Sequence, residues 1–152
     1  MHAVITGAND GIGLESAKGL ARLGYNQTWL CRNLDKANKA SNDILLRFPA
    51  LCINIIQVDL ASLNSVRNAV LQVIALEQGI DVILCNAGGT FSHYTLTEDG
   101  IEKTMAVNHL SHFLLCHLLL EHLNPKARII HVSSKANLKG KLSLEELQQC
   151  TV

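Results

Sequence analysis

The segment Thr6-Gly7-Ala8-Asn9-Asp10-Gly11-Ile12-Gly13 limits the folds open to this chain. Residues 3–6 before it form a short apolar run that reads as a strand. Residues 12–23 after it read as a helix, with Glu15, Lys18 and Arg22 on one face and Gly24 as a stop. A strand that turns through glycine into a helix leaves free N–H groups and the positive end of a helix dipole at the turn. Glycine lets the backbone turn tightly there and approach a pyrophosphate closely. The spacing is Gly-x-x-x-Gly-x-Gly.

The strand-then-helix alternation continues. Residues 28–31 read as a second strand, 34–48 as a helix ended by Pro49, and 53–58 as a third strand. Ser62 can cap a further helix, in which Val66, Ala69, Val70, Val73 and Ile74 fall on one buried face and after which Gly79 is the stop. Residues 82–85 are apolar throughout, as in a strand covered on both faces. A long helix over 101–123 stopping before Pro125, a fifth strand over 128–132 and a short helix over 144–149 complete the pattern. Such alternation predicts an α/β fold, a Rossmann-like doubly wound parallel sheet in the order 3-2-1-4-5, as one dinucleotide-binding domain over residues 1–152. The ligand cleft is expected across the carboxyl ends of strands 1 and 4.

Composition narrows the function. The 152 residues are 48% apolar and 17% charged, which suits a packed core. Thirteen basic residues balance thirteen acidic ones, so no nucleic-acid footprint is expected. Cys31, Cys52, Cys85, Cys116 and Cys150 are odd in number, far apart and free of any C-x-x-C pair. That spacing indicates neither zinc nor a disulfide framework, and predicts buried small hydrophobes in a reducing compartment. The apolar run at 113–120 is interrupted by His117 and too short to span a bilayer. No targeting peptide is read at the start, so the expectation is cytoplasmic, with a membrane anchor outside the chain left open.

Further motifs sit at the strand ends. Arg32, in Cys31-Arg32-Asn33, stands where an acid would hold the ribose 2′-hydroxyl of NAD; an arginine suits the 2′-phosphate of NADP. Val58-Asp59-Leu60 closes the third strand and Asn86-Ala87-Gly88 the fourth. The long helix carries Val107-Asn108-His109-Leu110-Ser111-His112-Phe113-Leu114-Leu115, and the fifth strand ends in Val132-Ser133-Ser134. In this order the motifs resemble the short-chain dehydrogenase/reductase family, in particular its retinol-dehydrogenase-like members, over about residues 2–140.

The resemblance implies roles. Gly7, Asn9, Asp10, Gly11, Ile12 and Gly13 would bind the cofactor around its pyrophosphate; Asp10 stands where relatives often carry Ser or Thr. Arg32 and Asn33 would meet the 2′-phosphate of NADP, and Asp59 and Leu60 the adenine. Asn86, Ala87, Gly88 and Val107 would lie beside the cofactor. Asn108 would be the catalytic asparagine, distorting its helix and holding a water of the proton relay. Ser134 would hydrogen-bond the substrate carbonyl. Ser111 replaces a glycine common in that segment. His109, His112, His117 and His122 share the helix, but no carboxylate or cysteine completes a ligand set, so no metal is expected.

The family's Tyr-x-x-x-Lys should follow the serine, yet the tyrosines here are Tyr25 and Tyr94. The fold is therefore read as C-terminally truncated. Two functions stay open: an NADP(H)-dependent oxidoreductase acting on a lipophilic alcohol, aldehyde or ketone, and a catalytically inactive nucleotide-binding or interaction module. The long helix is apolar on more than one face, with Met105, Val107, Leu110, Phe113, Leu114, Leu115, Leu118, Leu119, Leu120 and Leu123, which predicts a homo-oligomer through residues 101–123.

Overall fold

The structure, a computed structural model, describes residues 1–135. Five strands, β1 (His2–Thr6), β2 (Asn26–Cys31), β3 (Ile53–Gln57), β4 (Ile80–Cys85) and β5 (Leu123–His131), form one parallel sheet in the order β3-β2-β1-β4-β5, as expected. β1 is central and every one of its residues is buried, so successive side chains enter cores on opposite faces. Ala3 and Ile5 pack with Ala17 and Ala21 of α1 (Gly11–Arg22) and Ala37 and Ile44 of α2 (Leu34–Leu45). Val4 packs on the other side with Val66, Ala69, Val70 and Val73 of α3 (Leu63–Ile74) and Leu115, Cys116 and Leu119 of α5 (Ser111–Leu119).

Small α1 residues bring that helix close to the sheet, and the fully buried Trp29 fills the remaining space. The Trp29 indole donates to Gln27 Oε1 (2.8 Å), and the Gln27 amide donates to the Ala17 carbonyl (2.9 Å), so no polar atom of this pair is left wanting a partner. The Ser62 cap is present, its hydroxyl accepting from the Ser65 N–H (3.2 Å).

Several boundaries differ from the sequence pattern. α2 ends at Leu45 and α3 at Ile74, each finishing in a turn before its stop residue. The long helix is a succession of α4 (Lys103–Met105), a π-helical turn (Ala106–Leu110), α5 and a 3₁₀ turn (Leu120–His122). β5 begins at Leu123 and runs through Pro125. Its register jumps between the Ile80–Leu123 and Val82–Arg128 pairs, and Lys126 there has φ 70°. The jump forms a bulge that takes up a proline lacking an N–H to pair. β5 is an edge of the sheet among the described residues. The expected helix at 144–149 lies outside them.

Candidate functional site

A cleft of about 720 Å³ opens at the carboxyl ends of β1 to β4. Gly7, Asn9, Asp10, Gly11, Ile12, Arg32, Asn33, Asp59, Leu60, Asn86, Ala87, Gly88 and Val107 all line it. Gly13, Asn108 and Ser134 are not on its lining. Gly13 lies beneath the loop against the Gly7 carbonyl and the Asn86 amide. Ser134 is exposed beyond the end of β5.

Gly7 has φ 65° and Gly11 φ 49°, which side-chain-bearing residues rarely adopt. No atom lies within 4 Å of where a Cβ on Gly11 would be, so the backbone there is open to the cleft. Asn86 braces the loop from β4: its amide donates to the carbonyls of Thr6 (3.2 Å) and Gly7 (3.3 Å).

Asp10 caps α1, its carboxylate accepting from the Gly11 N–H (2.8 Å) and from Lys36 Nζ (2.5 Å). The hydrogen bond from Lys36, then that from Gly11, holds its carboxyl below the ordinary value. The carboxylate at the glycine loop is thus matched by a cation from the first turn of α2. Lys36 lines the cleft and was not singled out in the sequence, because its pairing with Asp10 spans 26 positions. Lys103 and Phe91 were also missed; the ammonium lies 4.9 Å from the ring centroid, and both line the cleft. Arg32 is exposed and makes no ion pair among the described residues. Asn33 caps α2 by accepting from the Lys36 N–H (2.8 Å). Asp59 accepts from the Ala61 N–H (2.9 Å), shaping the turn after β3.

Asn108 sits in the π-helical turn, a helix irregularity that recurs at functional sites. Its side chain is engaged twice by Gly89, accepting from the N–H and donating to the carbonyl, both at 2.9 Å. Ser111 is fully buried, and its hydroxyl reaches the Ala106 carbonyl (2.8 Å) and the Leu60 carbonyl. The hydroxyl that replaces the usual glycine therefore ties the π turn to the rim of the cleft.

Beneath the site lies a buried polar chain. Thr6 Oγ1 accepts from the N–H groups of Asn86 and Ala87, both at 3.0 Å. Its one proton is then left for His112 Nε2 at 2.9 Å, a shorter contact than the 3.5 Å to the Leu84 carbonyl. His112 Nε2 accepts, so the ring is neutral with its proton on Nδ1, facing the Asn108 carbonyl at 3.4 Å. Burial lowers the pKa of His112, outweighing the raising effect of that carbonyl. His2 is lowered by burial too. Above the ordinary histidine value of 6.5, folded and unfolded chains both hold these rings neutral and their contribution to stability is complete. Below it the unfolded chain takes up protons that the folded chain refuses, so stability falls as pH drops from 6.5 toward the folded values. The urea midpoint should be lower at about pH 5.5 than at about pH 7.5, and His112→Gln should flatten the decline. A pH-independent midpoint over that range would contradict the buried neutral rings.

A parallel sheet in this order with a glycine-lined cleft at its carboxyl end defines a dinucleotide-binding α/β protein. Residues 1–145 match the family model for short chain dehydrogenases, and the chain belongs to that family. It is 40% identical over 146 residues to human retinol dehydrogenase 13, covering 95% of this chain and 44% of that protein. A crystal structure of an uncharacterized protein from Mycobacterium paratuberculosis superposes with a TM-score of 0.83 at 38% identity, covering 96% of this chain and 50% of that one. A blue fluorescent protein from a metagenomic library, solved in complex with NADPH, superposes with a TM-score of 0.76 at 25% identity, covering 99% of this chain and 62% of that one. The chain spans about half the length of the relatives it matches. No helix among the described residues is long and apolar enough to cross a membrane.

Proposed function

We propose that this chain is the cofactor-binding part of an NADP(H)-dependent oxidoreductase acting on a lipophilic alcohol or carbonyl compound. The observation that carries the cofactor preference is Arg32, just past the end of β2, which lines the cleft with no ion partner among the described residues; Lys36, in the first turn of α2 and paired with Asp10, lines the same cleft. The open backbone at Gly11 and the size of the cleft fit a dinucleotide. The loop backbone at Gly11 and Ile12 faces the pyrophosphate, Arg32 holds the 2′-phosphate, and Asp59 and Leu60 hold the adenine. Asn86, Ala87, Gly88 and Val107 wall the remaining length. NADP(H), when bound, supplies or accepts the hydride. Ser134 orients the substrate oxygen, and Asn108 positions the relay from the π turn. The NADPH complex of the structural relative supports the cofactor, and the retinol dehydrogenase similarity supports a lipophilic substrate.

Calorimetry on Arg32→Asp tests the preference. Loss of a charge-assisted contact should weaken NADP binding by roughly ten- to a hundred-fold and NAD binding much less. Equal losses for the two nucleotides would remove Arg32 from the 2′-phosphate. A second copy of the chain is proposed to pack on the exposed stripe Phe113, His117 and Leu120, which continues the apolar character of α5 onto its outer side.

A further inference from the structure

Two cysteines 31 positions apart in the sequence meet in space. Cys85, at the end of β4, and Cys116, on α5, are buried with their sulfurs 3.5 Å apart. A third group joins them. His131 is the register partner of Cys85 across the parallel β4–β5 pair, so its side chain leaves the sheet on the same face, the one α5 covers. The two Sγ atoms and an imidazole nitrogen all lie within 4.8 Å of one another.

We propose that Cys85, Cys116 and His131 bind a zinc ion. Two thiolates and an imidazole are the donors that a borderline-soft ion of this kind selects over magnesium or calcium. With Zn–S bonds of about 2.3 Å in a tetrahedron, the two sulfurs stand roughly 3.8 Å apart, close to the spacing already present. A disulfide would need them at about 2 Å, a much larger approach for atoms held by a strand and a helix, and it would give His131 no part. On binding, each thiol releases its proton to solvent, and the two thiolates cancel the charge of the ion. The buried side of the site therefore carries no net charge into the core. Cys85 and Cys116 are buried and His131 is exposed, so the ion enters from the histidine side, where water takes the fourth position.

The site differs from the cleft in donors and place, and it does not depend on the NADP(H) reading. It clips together β4, β5 and α5. Those elements lead directly into Asn86 and toward Ser134, and α5 carries His112 one turn before Cys116. Sequence spacing argued against zinc because each ligand comes from a different element.

The 152-residue chain, reduced and stripped with a chelator, should be titrated with cobalt(II) and then zinc. One cobalt per chain should bind, with a thiolate-to-cobalt charge-transfer band and the intense visible bands of a tetrahedral ion, and zinc should abolish them. Cys85→Ser with Cys116→Ser should remove the bands, and Cys52→Ser, at an exposed site, should leave them unchanged. His131→Asn, at an exposed position that leaves the core intact, should weaken zinc binding by more than about 100-fold with an unaltered circular dichroism spectrum. This variant decides the matter if the double serine variant fails to fold. Absence of the bands in the native chain, or zinc affinity unchanged in His131→Asn, would overturn the site. So would recovery of the two thiols only on reduction, with no cobalt signal afterwards, which would assign the pair to a disulfide.

Discussion

Gly13→Ala is expected to cost at least about 3 kcal/mol of stability and to abolish dinucleotide binding with it. A Cβ at this position would lie 2.2 Å from the Gly7 carbonyl oxygen and 2.4 Å from the Asn86 amide nitrogen. Neither can step aside cheaply. Gly7 is anchored through its N–H to the Leu30 carbonyl (2.9 Å), and the Asn86 amide is spent on the Thr6 and Gly7 carbonyls. Relief requires α1 to lift off β1, which opens the contact of Ala17 and Ala21 with Ala3 and Ile5 and pulls the glycine loop out of shape. Gly19 is the control. It lies in the same helix with nothing within 4 Å of its missing Cβ, so Gly19→Ala should be neutral or stabilise by up to roughly 1 kcal/mol through helix propensity. Urea unfolding of the three proteins separates the cases. A Gly13→Ala midpoint close to the native one would mean that the loop relaxes around a methyl group.

The third glycine shows what local pattern can and cannot reveal. A strand, a glycine turn and a helix are written in neighbouring residues, and β1, α1, β2, α2, β3, α3 and β4 follow the periodicities that announced them. Most of the cleft was legible for the same reason: its residues sit at strand ends, and strand ends are local features. What the pattern left out depends on contacts between distant segments. Lys36 matters because it reaches Asp10, 26 positions earlier. Ser111 is explained by the Leu60 carbonyl, 51 positions away. The expectation that cysteines are buried holds for Cys31, Cys85 and Cys116 and fails for Cys52, which is exposed, while Cys150 lies outside the described residues. Pro125 was read as a helix stop and does follow the helix, but a bulge lets β5 start before it. Hydropathy alone could not divide the apolar residues of the long helix into an inner and an outer face.

That division yields the second large effect. Leu119→Lys should destabilise the chain by about 5 kcal/mol, enough to unfold a marginal domain. Leu119 is fully buried in the core shared by α3, α5 and β4, and among the described residues no acidic side chain is buried to receive an ammonium. The sequence left open that either Leu119 or Leu120 faces outward; the structure turns Leu119 inward and leaves Leu120 50% exposed. Leu120→Lys should therefore change stability by no more than about 0.5 kcal/mol. This asymmetry makes Leu120 the proper probe of self-association. Leu120→Lys with Phe113→Glu charges the outer stripe, where Phe113 is 62% exposed and stacks on His117, without touching the core. Sedimentation at micromolar concentration should show dimers or larger species for the native chain and a shift to monomer for this double variant, with an unchanged circular dichroism spectrum. If the native chain sediments as a monomer at high concentration, the stripe is not an interface, whereas the collapse of Leu119→Lys would stand regardless, because it rests on burial within one chain.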